Sequence, residues 1–299
     1  MTRAGFVAVA GRPNVGKSTF LNAAVGGKVA IVSDRPQTTR RAIRGVLCSG
    51  ETQLVLVDLP GVQRPKDALT ARMASRVEQE LAGADAVLLM LNAEQGVGPG
   101  DRFIARSLGR ANRVAGAAAP VTIAVNKIDR LRPNELVAAL AHVPELGLDA
   151  EIYPISARTG AGLGALIEHL AALMPAGPFL YAADARTDQP RDQVIAELIR
   201  EAAIRRTFRE VPHALEVFVE DVEQPRAELT RVRALIWVES ESQKAILIGA
   251  GGRMIKAVGS AARVDLEREL GCRVYLDLSV RVRRGWRADD ALLDRIGIT

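Results

Sequence analysis

The sequence predicts an α/β protein, a mostly parallel sheet with helices on both faces, followed by a smaller α+β module. Three observations carry this. The apolar run Phe6-Val7-Ala8-Val9-Ala10 meets the loop Gly11-Arg12-Pro13-Asn14-Val15-Gly16-Lys17-Ser18 and then a helical stretch from Thr19 to Val25. Strand-like and helix-like stretches alternate from there to Met174, which is the pattern of βα units. The periodicity breaks over Pro175-Ala176-Gly177-Pro178 and resumes only after Pro190. The expected organisation is a domain at 1–175, a linker at 176–190 and a second domain at 191–299.

The opening loop has the spacing Gly, four residues, Gly-Lys-Ser. Between a strand and a helix this is a nucleoside-triphosphate phosphate loop. Its glycines let backbone N–H groups turn toward phosphates, and the helix N-terminus adds partial positive charge at the same place. Lys17 reaches the β and γ phosphates, and the Ser18 hydroxyl binds Mg²⁺. Gly11 to Thr19 is thus one candidate cradle.

Ser33 to Arg41 is polar, contains Pro36 and forms a loop. Ala42–Cys48 and Thr52–Val57 follow as strands joined at Ser49-Gly50. The second strand ends in Asp58-Leu59-Pro60-Gly61, where Asp58 is placed to hold Mg²⁺ through water and the Gly61 N–H to bond a γ-phosphate. Ala68–Leu81 and Phe103–Leu108 have helical spacing. Ala86–Leu91 and Val121–Val125 are continuous apolar runs, suited to strands covered on both faces. The latter ends in Asn126-Lys127-Ile128-Asp129. A carboxylate at Asp129 accepts hydrogen bonds from guanine N1–H and the 2-amino group, donors that adenine lacks, and discrimination of this kind reaches about 10⁴-fold. The Lys127 stem lies along the base and Asn126 braces the loop. Glu151 to Ala157 is a last strand and its exit loop, where the small Ala157, after Ser156, lets a backbone N–H approach guanine O6. Leu163–Met174 is an amphipathic helix.

In the second half, Arg191–Phe208 is helical, and Ala214–Glu220 and Leu229–Glu239 are strands. A short apolar helix from Ala245 runs into Gly249-Ala250-Gly251-Gly252 and a second helix to about Leu270. Cys272–Val282 is a strand and Asp289–Arg295 a short helix. A Gly-x-x-Gly turn between two helices is the mark of a KH module, where backbone closely approaches four nucleotides of single-stranded nucleic acid. Gly249 and Gly252 leave room for sugar-phosphate, Arg253 and Lys256 supply charge, and Ile248 and Ile255 an apolar floor.

Composition limits the alternatives. The 299 residues suffice for about two domains. With 48% hydrophobic and 25% charged residues the chain is not of the disordered class. No run of about 18 consecutive apolar residues suggests a membrane span, and Gly11 and Pro13 cut the first apolar run too early for a signal peptide. Cys48 and Cys272 lack nearby ligand partners and fit reduced thiols of a cytoplasmic protein, and His142, His169 and His213 fit ordinary surface or core positions. The net charge is +5. Residues 1–180 hold 20 basic and 15 acidic residues and 181–299 hold 20 of each, so an RNA or membrane site in the second half is a local patch. Arg253 to Arg287, with nine basic and four acidic residues, is one; Arg205, Arg206 and Arg209 form a smaller one.

Taken together, the motifs resemble the Era family of bacterial ribosome-assembly GTPases along essentially the whole chain. Gly11–Ser18, Pro36-Gln37-Thr38-Thr39-Arg40, Asp58–Gly61, Asn126–Asp129 and Ile155–Ala157 fall in that family's order. So do Ile248–Gly252 with Ile255-Lys256, and Ser279-Val280-Arg281-Val282 leading to Gly285-Trp286. The resemblance implies a P-loop GTPase domain and a type II KH RNA-binding domain, GTP/GDP and Mg²⁺ as ligands, and K⁺ held with help from Asn14. It implies Thr39 as the switch threonine on Mg²⁺, with Thr38 the alternative. It further implies binding of the 3′ end of 16S ribosomal RNA, a role in maturing the 30S subunit, no DNA partner and a monomer. Two rival readings are a membrane-surface GTPase using Arg281, Arg283, Arg284 and Arg287, peripheral on the inner face of the cell membrane, and an RNA scaffold with a structural nucleotide site. Three departures stand out. Leu59 replaces a common Thr, without expected effect. Ala250-Gly251 lacks a basic residue, leaving RNA affinity to Arg253 and Lys256. Val62 stands where many GTPases carry a water-orienting glutamine, so intrinsic hydrolysis is expected to be slow, on the order of 10⁻⁴ to 10⁻² s⁻¹.

Overall fold

The computed structural model describes residues 1–32, 38–61, 65–114 and 119–298. Pro36, Gln37 and Val62, which the sequence singles out, lie outside them. The chain divides into two compact units, one built from most of residues 1–188 and the other chiefly from Gln189–Thr299.

The first unit runs β1 (Arg3–Gly11), α1 (Lys17–Val25), β2 (Ile43–Ser49), β3 (Thr52–Asp58), α2 (Ala68–Ala82), β4 (Ala86–Asn92), α3 (Pro99–Val114), β5 (Val121–Asn126), α4 (Pro133–Ala141), β6 (Glu151–Ile155) and α5 (Leu163–Leu173). The sheet order is β2-β3-β1-β4-β5-β6, antiparallel only at β2–β3. All residues of β4 and β5 are buried, as continuous apolar runs require when helices cover both faces. One core packs Phe20, Leu21, Leu166 and Leu170 on one face. The other packs Ile104, Leu108 and Leu146 on the opposite face. Because the strands are parallel, the loops Gly11–Gly16, Asp58–Gly61, Asn126–Asp129 and Ser156–Ala157 gather at one end of the sheet.

Two local departures have simple causes. The stretch between Asp129 and Glu151 contains α4, which buries no residue fully and shows only a short half-buried stripe, Leu136, Ala139 and Leu140. The stretch expected as a linker is fastened to the first unit as far as Asp188. Gln53 accepts from the N–H groups of Leu180 and Tyr181 at 2.8 and 2.9 Å, and the Thr187 hydroxyl donates to the Arg44 carbonyl at 2.8 Å.

The second unit runs α6 (Arg191–Arg206), α7 (Val211–Ala214), β7 (Glu216–Arg226), β8 (Leu229–Val238), α8 (Glu241–Ile248), α9 (Arg253–Leu270), β9 (Arg273–Val282) and α10 (Asp290–Arg295). Its sheet order is β7-β8-β9, with β7–β8 antiparallel and β8–β9 parallel. The strand expected from Ala214 begins instead at Glu216, because Pro212 starts the short helix α7. It also runs past Glu220 to Arg226, where hairpin pairing with β8 overrides a polar sequence containing Pro225. Helix α8 starts at Glu241, earlier than its apolar part, because the Ser240 hydroxyl accepts from the Gln243 N–H at 3.4 Å. Although Glu241–Leu270 is apolar enough over one window for a membrane span, the Gly249–Gly252 turn breaks it into two helices.

Candidate nucleotide site and nucleic-acid groove

The phosphate loop is shaped by backbone that only certain residues tolerate. Gly11 and Gly16 have φ of 151° and 104°, and Asn14, a non-glycine, has φ of 63°. A Cβ on Gly16 would run into Asn126 Nδ2, and one on Gly11 would stand 2.6 Å from the Met90 carbonyl oxygen. Lys17 is buried, and its Nζ donates to the Gly11 and Arg12 carbonyls at 3.2 Å each. Burial holds the Lys17 ammonium below its ordinary pKa, against the pull of Asp58.

Asp58 is wholly buried at the end of β3. Its Oδ2 accepts from Ser18 Oγ at 2.6 Å and from Thr39 Oγ1 at 3.3 Å, and the two hydroxyls lie 3.2 Å apart. Its Oδ1 is buried with no hydrogen-bond partner among the described residues. Burial pushes the Asp58 carboxyl above its usual range, opposed by Lys17 and by the two hydroxyls. Hydroxyl and carboxylate oxygens around one point, with an orphaned carboxylate oxygen beside them, are the hard donor set that suits Mg²⁺. Thr39 is the threonine whose hydroxyl reaches this cluster. Among the described residues there is no group of three or more His, Cys, Asp or Glu that could hold a metal ion.

Asn126 joins the phosphate and base ends. Its Nδ2 donates to the Val15 carbonyl at 2.8 Å and its Oδ1 accepts from the Ala157 N–H at 2.9 Å. The Ala157 N–H, expected near a guanine O6, is therefore engaged in this brace. Lys127, at φ 71°, turns the chain into a 3₁₀ turn that presents Asp129. Asp129 Oδ1 accepts from Ser156 Oγ at 2.6 Å, and Oδ2 from Arg158 Nη2 at 2.5 Å. The Ser156 bond, with Arg158, holds the Asp129 carboxyl below its usual pKa. Arg158 escaped the sequence reading, though it directly follows Ser156-Ala157.

The remaining expected residues divide. Gly61 packs on the Pro13 ring, which a Cβ would meet at 2.8 Å. Leu59, Pro60 and Val15 are buried, and Thr19 is half-buried. Arg12 contributes its carbonyl, but its side chain leaves the loop. Its Nε donates to Asp101 Oδ1 at 2.8 Å, and Asp101, fully buried at the start of α3, also accepts from the Gly98 N–H at 2.8 Å. Arg12 thus ties the loop to α3 through its guanidinium. No local signal marked Asp101 as its partner.

In the second unit Gly249, Gly251 and Gly252 all have positive φ, between 60° and 76°. A Cβ on Gly249 would stand 2.8 Å from Met254 Cβ. Arg253 Nε donates back to the Ala250 carbonyl at 3.2 Å, so this guanidinium folds onto the turn. Ile255 and Lys256 line a groove of about 420 Å³ between α9 and β9, with Gly259 and Arg263 on the helix side. Ile248 packs against the core. Lys256, Gly259 and Arg263 share a helix face by their spacing, a signal that was present in the sequence, whereas the β9 wall was not.

Comparison with known proteins follows this geometry. Residues 6–127 match the family model described as a 50S ribosome-binding GTPase, and residues 210–287 the KH domain. The GTPase Era of Mycobacterium tuberculosis strain H37Rv is 46% identical over 299 residues, 98% of each chain. That of Mycobacterium avium strain 104 is 44% identical over 298 residues, 99% of this chain and 98% of the relative. A crystal structure of Era in complex with MgGDPNP and nucleotides 1506–1542 of 16S ribosomal RNA is 34% identical, with a TM-score of 0.93 and full coverage of both chains. A variant of Aquifex aeolicus Era bound to GDP and AlF₄⁻ has the same identity, score and coverage. Similarity of this degree spans both units, so the chain belongs to the Era family of GTPases.

Proposed function

We propose that this GTPase is a switch whose nucleotide state governs binding of its KH module to the 3′ end of 16S ribosomal RNA, in maturation of the 30S subunit. The observation that carries the reading is the Thr39 hydroxyl lying within 3.3 Å of both Ser18 and Asp58. Thr39 belongs to a loop between α1 and β2, so a γ-phosphate at Lys17 and the loop's position are felt at one point. Ser18, Thr39 and Asp58 would hold Mg²⁺, which neutralises phosphate charge. Guanine is selected by Asp129, held by Ser156 and Arg158. The 16S assignment draws on the solved complex similar along the whole chain, whereas the model named for the 50S subunit spans only the first unit.

The test is the affinity of the protein for the 1506–1542 RNA with GTP analogue and with GDP, by fluorescence anisotropy. A difference of fivefold or more is expected, on the order of 1 kcal/mol of coupling; identical affinities overturn the switch. A 23S fragment should compete no better than unrelated RNA. Asn14, held in left-handed backbone beside the phosphates, would help bind K⁺. Phosphate release should then be faster in K⁺ than in Na⁺, and equal rates remove the potassium site.

A further inference from the structure

The helix-packed face of the β7-β8-β9 sheet forms the core of the second unit, through Val274, Val280 and their neighbours. Its opposite face is divided. At one end Phe218 stacks on Trp237 with ring centroids 5.5 Å apart, and Arg295 of α10 lies 4.4 Å over the Phe218 ring. The other end is open. There Tyr275, the third residue of β9, is 63% exposed, unusual for an aromatic residue within a strand. Residues paired in register share a face. Tyr275 pairs with Arg231 of β8, and Arg273 lies two residues back along β9, on the same side. Neither arginine makes an ion pair among the described residues. Further along, Asp221 neutralises Arg233 at 2.8 Å. Tyr275 also lines the groove beside Lys256, since β9 is the sheet's edge strand and forms one groove wall.

We propose that Tyr275 is a base-stacking shelf, where a single RNA strand leaves the Gly-x-x-Gly groove, crosses the β9 edge and lays one nucleobase on the phenol ring, with its phosphates toward Arg231 and Arg273. This rests on the RNA-binding reading above and adds a nucleotide position outside the groove. An exposed aromatic beside two guanidiniums offers a base both a π-face and counter-charge. Glu223 of β7, in register with Arg231, and Asp277 of β9, in register with Arg233 and on the same face as Tyr275, turn the phosphate path toward the Arg273 end of β9.

The experiment uses the full chain and the 1506–1542 RNA, with single 2-aminopurine substitutions scanned along it. Tyr275→Ala should weaken binding about 5- to 100-fold and relieve fluorescence quenching at one position, with the melting temperature unchanged. Tyr275→Phe and Tyr275→Trp should retain both affinity and quenching. Arg231→Gln and Arg273→Gln should each lower the slope of log affinity against log salt by about 0.7. Gly252→Asp reports on the groove itself. If the wild-type chain does not bind this RNA, the RNA-binding reading falls; if it binds but Gly252→Asp leaves its affinity unchanged, the groove is not the site; in either case the shelf falls too. If both hold but Tyr275→Ala stays within twofold of wild type with quenching intact, the shelf alone is overturned, and the exposed face serves something other than RNA.

Discussion

At the residue scale the proposed base site turns on one carboxylate. Both oxygens of Asp129 already accept a hydrogen bond, from Ser156 and from Arg158, so the group is held in one rotamer and kept ionised. Asp129→Asn replaces an acceptor pair by one acceptor and one donor. GTP affinity should fall by about 10³- to 10⁴-fold while XTP, with a carbonyl at C2, gains, as calorimetry would measure. The pH dependence follows from the sign of the shift. A carboxyl whose pKa is depressed in the folded state contributes stability above its unfolded value, here 3.8, and loses it only as pH falls through the lower folded value. Base recognition should therefore stay level from about pH 8 down to about pH 5. A titration of GDP affinity with a midpoint near neutrality would show that another group governs the base site.

At the element scale the phosphate loop depends on partners from other strands. Gly16 carries φ 104° and faces Asn126, which bridges Val15 to Ala157. Gly16→Ala must strain the backbone and displace that brace, so GDP affinity should drop by at least about 10²-fold, roughly 3 kcal/mol for strain and a lost hydrogen bond. Equilibrium dialysis with labelled GDP would test this, and near-wild-type binding would mean that the loop relaxes freely. Arg12 is fastened in the same way, by buried Asp101, which makes α3 the support of the loop's first turn.

On the scale of the whole molecule, each unit has its own core, so each should melt on its own account. GDP at about 100 times its dissociation constant should raise the midpoint of the first transition, by about 2.7 kcal/mol of linkage, and leave the second in place. The second unit has a different weakness. Arg200 is fully buried, with Glu197 at 2.7 Å and Glu216 at 3.8 Å. Burial opposes its charge, but the carboxylates outweigh it and hold the guanidinium above its ordinary pKa. Arg200→Leu leaves those carboxylates uncompensated and should destabilise the second transition alone by about 3–5 kcal/mol. Calorimetry showing one merged transition, or both midpoints moving together, would contradict this separation.

Much of this was legible in the residues themselves. A phosphate loop, an Asp-x-x-Gly after a strand, Asn-Lys-x-Asp after another and a Gly-x-x-Gly between helices are each written within a few positions. Their chemistry depends on local backbone and side-chain type. The strands that carry them announce themselves as unbroken apolar runs because helices bury both faces. What stayed hidden depends on pairs far apart in the chain. Asp101 is 89 positions from Arg12 and Asn126 is 111 from Val15, and no periodicity links either pair. That the Thr39 hydroxyl meets Asp58 could be seen only in the structure. The β9 wall of the groove, with Tyr275 at its rim, exists only because strand pairing makes β9 an edge. The sequence alone therefore settled which groups are present and that they make a GTPase domain and a KH domain. The tertiary structure decided which of them meet, because hydrogen bonds and burial act between neighbours in space.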